Sequence, residues 1–275
     1  MFNSITLGQY YQTDSLLHRL DPRVKLSGTF LYIISLFIVD TPEGYLLAAL
    51  FLAVMIRLSN VPFKYIVRGM KAILFILLLT IVFNLFLTPG EPLWTFGFLK
   101  ISREGLVLAI RMAARLSLLI LGSSLMTLTT TPNQLTDAIE DLLGPLRRFR
   151  VPVHEIAMMM SIALRFIPIL MEETDKIMKA QIARGADFES KNLMKKIRSL
   201  VPLLVPLFIS AFRRATDLAR AKEARCYRGG AGRTKMKPLV YTGKDRIAYL
   251  VLFAFLALCI VSRIAGSMIP IPGWA

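Results

Sequence analysis

Five long apolar runs, separated by turn chemistry or by basic loops, constrain this chain more than any other feature. They are Leu26–Val39, Tyr45–Ile56, Ala72–Leu87, Gly105 to about Leu128, and Ile247–Ile264. Asp40-Thr41-Pro42-Glu43-Gly44 separates the first two, and Thr88-Pro89-Gly90 closes the third. A helix that crosses a bilayer needs roughly 20 mostly apolar residues. The first run is short unless Val24 and Lys25 join it, with the lysine reaching back to the interface. Hydrophobic residues make up 55% of the sequence, and the mean hydropathy is +0.57. That is too apolar for an ordinary soluble globule. The fold class is therefore all-α, a polytopic membrane protein with about five transmembrane helices. Trp94, Phe96 and Phe98, in the connection from Glu91 to Gly105, suit a membrane interface.

The segment Arg147–Lys237 does not fit this scheme. It carries twenty Lys and Arg against eight Asp and Glu, +12 of the chain's +16. Ile156, Met160, Ala163, Ile167, Leu170, Thr174, Ile177 and Gln181 recur at steps of four and three, placing one mostly apolar stripe on a helix face. That pattern stops at Ala183-Arg184-Gly185. A second stripe, Ile197, Leu200, Leu204, Leu207, Ala211, Ala215 and Leu218, stops at Ala224-Arg225-Cys226. Ile156–Met171 and Leu200–Phe212 are apolar, but they contain Arg165 and Pro168, and Pro202 and Pro206, respectively. Both are read as buried halves of long amphipathic helices, too short to be spans. Ala211, Ala215 and Ala219, four apart, would allow the two helices to cross closely.

Basic residues cluster before the first run, between the second and third, and between the fourth and fifth, whereas the intervening turns hold only Lys100 and Arg103. The positive-inside rule then places the N-terminus and the long basic region in the cytoplasm, and the C-terminus, Ile269–Ala275, outside. No cleavable leader is read in the polar opening Met1–Asp21. The basic residues flank apolar segments and do not interleave with aromatic platforms, which argues against nucleic acid as a partner.

Arg184 and Arg225 are the sharpest candidates for function. An arginine in a last helical turn offsets the helix dipole, but two long helices that both end on Ala-Arg-small point further. Small neighbours let a partner approach, and a guanidinium offers a planar fork to a carboxylate. Asp137, Glu140 and Asp141 carry the rival chemistry: an Asp-x-x-x-Asp spacing puts two carboxylates on one helix face, as magnesium-diphosphate enzymes require. The competing reading is a short helix whose acids pair with Arg147 or Arg148. Arg111 and Arg115 inside the fourth run are costly in lipid, and are read as snorkelling near the cytosolic helices. His18 and His154 lack ligand-spaced neighbours, and Cys226 and Cys259 are read as reduced structural thiols. No cofactor and no metal site is expected.

Leu20-Asp21-Pro22-Arg23-Val24-Lys25-Leu26, Arg165-Phe166-Ile167-Pro168 and the endings Ala183-Arg184-Gly185 and Ala224-Arg225-Cys226 together resemble the transmembrane T component (EcfT/CbiQ-like) of energy-coupling factor transporters, over essentially the whole chain. The opening Gly8-Gln9-Tyr10 resembles the shared type, which serves several interchangeable vitamin-binding subunits. Cys226 stands where glycine is usual in the family. The resemblance implies a non-catalytic scaffold in the membrane of a bacterial cell, within an ABC-type importer for vitamin uptake. Two cytosolic ATPase subunits would bind Ala183, Arg184, Gly185, Ala224, Arg225 and Cys226. A small integral membrane substrate-binding subunit would contact Met158, Met159, Met160, Leu204, Leu207 and Ala211; adaptable methionine side chains suit a surface with changing partners. Residues 1–131 would hold the N-terminal segment and four transmembrane helices, 132–243 the coupling helices, and 244–275 the last span. The rival is a membrane-embedded magnesium-dependent enzyme acting on a lipid diphosphate through Asp137 and Asp141. A weaker alternative is an anchor whose basic helices hold anionic lipid.

Overall fold

The structure, a computed structural model, describes residues 10–89, 92–96, 99–186, 188, 193–230, 236 and 238–268. The opening Gly8-Gln9 and the C-terminal Ile269–Ala275 lie outside the described residues, as does Phe98. In chain order the elements are α1 (Leu16–Arg19), α2 (Pro22–Ile38), α3 (Pro42–Ser59), α4 (Phe63–Leu87), β1 (Pro92–Phe96), β2 (Leu99–Ser102), α5 (Arg103–Thr129), α6 (Pro132–Leu142), a 3-10 turn (Gly144–Phe149), α7 (Val153–Ala183), α8 (Leu193–Ala224) and α9 (Gly243–Met268). They form two compact units. One runs to Ala138 and resumes at Leu239; the other holds Ile139–Pro238.

Local chemistry starts the helices of the first unit. Asp21 caps α2 by accepting from the Arg23 N–H, and Thr41 caps α3 by accepting from the Gly44 N–H, each with proline as the first helical residue. Ser102 does the same for α5 through the Gly105 N–H. Thr131 and Gln134 form a reciprocal capping box for α6, at 3.1 and 3.3 Å. Asn60, with φ 53°, closes α3 in the left-handed conformation that asparagine tolerates.

The core of this unit packs Tyr32 and Leu36 of α2, Ala48 and Leu52 of α3, Leu118 and Leu125 of α5, and Cys259 of α9. The rings of Phe51 and Phe255 stack at 4.2 Å, with Tyr32 at 6.0 to 6.2 Å from each. Gly122 lets α5 lie against Tyr32: a Cβ there would fall 2.5 Å from the ring. The outward faces stay apolar and exposed, as at Leu46 (71%), Leu50 (66%) and Phe75 (72%), the reverse of a soluble surface and the pattern that lipid requires.

Five helical segments among the described residues are long and apolar enough to cross a membrane: α3, α5, α7, Ser199–Ala224 of α8, and Gly243–Gly266 of α9. A sixth is added if α4, bent by 61° between Lys71 and Ile73, counts as one span. Two differences from the sequence reading follow. The apolar stretches of α7 and α8 belong to helices of 31 and 32 residues, and Pro168, Pro202 and Pro206 are accommodated inside them. Length therefore does not separate them from spans. The connection after α4 is also more ordered than a loop: β1 and β2 pair antiparallel, with Trp94 opposite Ile101 and Phe96 opposite Leu99.

Two polar layers bound the bundle. At one end the Asp245 carboxylate, 1% exposed, accepts from the Asp21 N–H (2.9 Å), the Thr242 N–H (2.7 Å) and the Thr242 hydroxyl (2.6 Å). Asp21 in turn receives a forked pair from Arg23, at 3.0 and 2.7 Å, and the Arg23 guanidinium lies 3.9 Å over the Tyr241 ring. Lys25 donates to the carbonyls of His18 (3.1 Å) and Thr129 (2.9 Å), tying the start of α2 to the end of α5. His18 Nε2 lies 3.0 Å from the Tyr11 carbonyl, and burial lowers the basicity of its imidazole, so it serves packing. At the other end Arg115 bonds Asp40 (2.9 Å) and the Val39 carbonyl (3.0 Å). The 17 residues of α2 set these layers about 25 Å apart, close to the thickness of a hydrocarbon core. The expectation for Arg115 is thereby replaced by a partner within the bundle: its guanidinium bonds the α2–α3 turn.

Asp245→Ala would strand the Asp21 and Thr242 amides and leave Arg23 and Lys25 short of a counter-charge. A loss of about 2–4 kcal/mol is expected, read as a lower unfolding midpoint in neutral detergent. An unchanged midpoint would remove this knot from the forces holding α9 to α2.

Candidate functional site

The second unit is organised by α7 and α8, which run antiparallel. Gln181 Nε2 donates to the Pro202 carbonyl (3.3 Å) at one end, and Lys222 Nζ lies 3.3 Å from the Met158 sulfur at the other. Between them the Glu173 carboxylate accepts from the Ser210 hydroxyl and, at 2.7 Å, from Arg214. These charged and polar ties fall on the faces that the two helices turn to each other, with Leu203 buried in the same seam. The alanine stripe is not that seam: Ala215 and Ala219 are exposed, and Ala211 is half-buried. The seam is built from larger side chains, and so does not allow the close backbone approach that the alanines promised.

Both helices end in one and the same cap. After α7, the Ala186 N–H donates to the Gln181 carbonyl (3.0 Å) and the Gly185 N–H to Ile182 (2.9 Å), with Gly185 at φ 88°. After α8, the Tyr227 N–H donates to Lys222 (3.1 Å) and the Cys226 N–H to Glu223 (2.8 Å), with Cys226 at φ 54°. This six-residue pattern satisfies the last carbonyls and requires one left-handed residue. Glycine adopts that conformation without cost, whereas a residue with a Cβ does so against roughly 1–2 kcal/mol. Cys226 therefore holds the geometry of the motif under strain. The cap leaves Ala183, Arg184, Ala224, Arg225 and Cys226 exposed, with each arginine at the tip. Since Lys222 sits level with Met158, the two tips lie at opposite ends of the pair, about 40 Å apart along α7.

The residues expected to meet an apolar partner divide by exposure. Met159 (59%), Met160 (39%) and Leu204 (45%) are open, while Met158, Leu207 and Ala211 are half-buried. The larger feature escaped the sequence reading. Val201, Leu204, Val205, Phe208, Ile209 and Phe212 line an open groove of about 940 Å³ on α8, rimmed by Arg213, Asp217 and Arg220. Its signal is present as apolar residues at steps of three and four from Val201 to Phe212, beside the traced stripe and sharing Leu204 with it. Of the α7 stripe, Ile156, Met160, Ala163 and Ile167 are exposed, whereas Leu170, Thr174 and Ile177 are half-buried.

Of the α6 acids, Glu140 has a structural role. The Glu140 carboxylate, 6% exposed, takes the Arg147 guanidinium at 3.3 Å and His154 Nδ1 at 2.9 Å, a structural pairing. Among the described residues, no three His, Cys, Asp or Glu side chains are grouped so as to hold a metal ion.

The fold is that of a polytopic α-helical membrane protein in which two long helices, α7 and α8, are tied to each other by side-chain bonds. The CbiQ family, described as cobalt transport protein, matches residues 13–236. Proteins named energy-coupling factor transporter transmembrane protein EcfT are similar over nearly the full length. The one from Clostridium kluyveri is 55% identical over 266 residues, covering 96% of this chain and 98% of its own. That from Ruminiclostridium cellulolyticum is 56% identical over 245 residues (89% and 92%), and that from Bacillus subtilis 48% over 264 (96% and 100%). The chain belongs to this family, the transmembrane components of energy-coupling factor transporters.

If one cap serves both tips, Gly185→Ala should destabilise the last turn of α7 by about 1 kcal/mol, and Cys226→Gly should stabilise that of α8 by a similar amount. Amide hydrogen exchange in the two terminal turns should move in opposite directions; changes of the same sign would contradict the shared geometry.

Proposed function

We propose that this chain is the scaffold and coupling subunit of an ABC-type importer and has no catalytic activity of its own. The observation that carries this reading is the repeated cap: two exposed arginines, presented alike at the two ends of one tied helix pair. Each tip would enter an acidic groove on one cytosolic ATPase subunit, the guanidinium forking onto a carboxylate while Ala183, Gly185, Ala224 and Cys226 allow close approach. Twin docking points about 40 Å apart suit a pair of ATPases whose separation changes with nucleotide.

The apolar groove of α8 and the exposed methionines Met159 and Met160 would hold a small integral membrane subunit that binds the substrate, a vitamin by the family resemblance. The names of the relatives, as transporter transmembrane proteins, support membership of such a complex. When ATP binding draws the ATPases together, the tips move. The Glu173–Ser210–Arg214 tie passes that motion between α7 and α8, and the seated subunit reorients. The excess of basic residues in 147–237 supports a cytoplasmic position for the N-terminus and for α7 and α8, with the C-terminus outside. Residues 1–131 and 244–275 then anchor the machinery of 132–243 in the cell membrane.

Arg184→Glu with Arg225→Glu should abolish co-purification of ATPase subunits from native membranes, while the unfolding midpoint of the isolated chain stays unchanged. Stoichiometric ATPase recovery with the double variant would refute the docking role. Arg→Lys at both sites should also weaken association, because an ammonium cannot fork onto a carboxylate.

A further inference from the structure

The polar layer at the α2–α3 turn holds more positive charge than the mechanism uses. Arg115 bonds the Asp40 carboxylate at 2.9 Å, and Arg263 of α9 stands 3.9 Å from the other oxygen of the same carboxylate. Arg111 lies one turn from Arg115 on the same face of α5, on the side away from the Asp245 layer. Two guanidinium groups therefore share one carboxylate, and a third stands one helical turn away. Arg115 is largely buried (side chain 14% exposed), with its charged end within 6 Å of the Phe37 and Tyr45 rings. The Nε atoms of both Arg111 and Arg115 are buried and without a hydrogen-bond partner. Buried guanidinium donors left unpaired are costly, and a surplus of two positive charges beside hydrocarbon more so. Arg263 and Asp40 are 56% and 43% exposed, so the cluster opens to its surroundings.

We propose that Arg111, Arg115 and Arg263 seat the phosphodiester of an anionic phospholipid on the α2–α3 side of the bundle. The height fits. Asp40 lies at the end of α2, about 25 Å from the opposite polar layer, and Arg111 lies about 6 Å further out than Arg115. That is where headgroup phosphates stand relative to a hydrocarbon core of about 30 Å. The chemistry fits as well: the guanidinium fork matches two phosphate oxygens. A lipid is favoured over free phosphate by the apolar surface around the cluster. Phe37 (60% exposed), Leu46 (71%) and Ile264 (54%) offer acyl chains a place to lie beside the charged head. The lipid supplies the second negative charge that Asp40 alone does not.

The test uses the full chain in neutral detergent, with phosphatidylglycerol or phosphatidylcholine added. Bound lipid is counted by native mass spectrometry, and the unfolding midpoint is followed in parallel. Phosphatidylglycerol is expected to be retained one-to-one and to raise the midpoint, with phosphatidylcholine retained at least tenfold less. Arg111→Gln with Arg263→Gln keeps the Arg115–Asp40 bond and removes the surplus charge, and so should keep or raise the parent midpoint without lipid while losing at least tenfold in phosphatidylglycerol occupancy. Parental occupancy in that double variant would overturn the site. A midpoint rise with inorganic phosphate equal to that with phosphatidylglycerol would overturn the lipid assignment.

Discussion

A buried carboxylate at the start of the last membrane helix organises this bundle. Asp245 is spent entirely on hydrogen bonds, one to the amide that precedes α2 and two to its own cap at Thr242. Asp21, thus fixed, holds Arg23, and Lys25 reaches across to the end of α5. Two carboxylates and two cations balance at the point where three helices meet, and every charge is paired or hydrogen-bonded. Burial of charge is tolerable only on that condition. The sequence between Leu20 and Leu26, which reads at first as a basic flank, is the structural joint between α2, α5 and α9.

The same accounting explains why arginines can stand inside an apolar helix. Arg111 and Arg115 fall well within α5 by sequence, but α5 is 27 residues long and extends past the shorter α2. The head of Arg115 therefore meets the α2–α3 turn, where it finds Asp40 and the Val39 carbonyl. The cost expected of an arginine at mid-membrane is lowered there, because its depth is set by the neighbouring helices.

In the other unit, rigidity and exposure are combined. α7 and α8 are tied near their middles by Glu173, Ser210 and Arg214, and at their ends by Gln181 and Lys222, yet their outward faces are strongly apolar and open. A soluble protein does not keep Phe208 and Phe212 at 62% and 68% exposure without a partner or a membrane to cover them. The two tips are rigid for a different reason. Each is closed by its own backbone hydrogen bonds, so the arginine emerges from an ordered turn.

The sequence by itself determined most of the elements. Proline after Asp21, Thr41 and Thr131 and the paired Ala-Arg-small endings follow from local rules, and helices begin or end there; α4, by contrast, begins at Phe63, inside the basic stretch that reads as a loop before the apolar run at Ala72. The paired endings also carried the family, since short exposed motifs are readable without contacts. Tertiary structure decided everything that depends on which faces meet. The small alanines of α8 looked like a seam, yet Ala215 and Ala219 are exposed, because Glu173 draws Ser210 and Arg214 inward instead. Asp245 and Asp21 are 224 residues apart, and no periodicity connects them. The depth of Arg115, the strained but preserved cap at Cys226, and the groove at Phe208 likewise follow from helix lengths and packing partners, which a linear pattern does not encode.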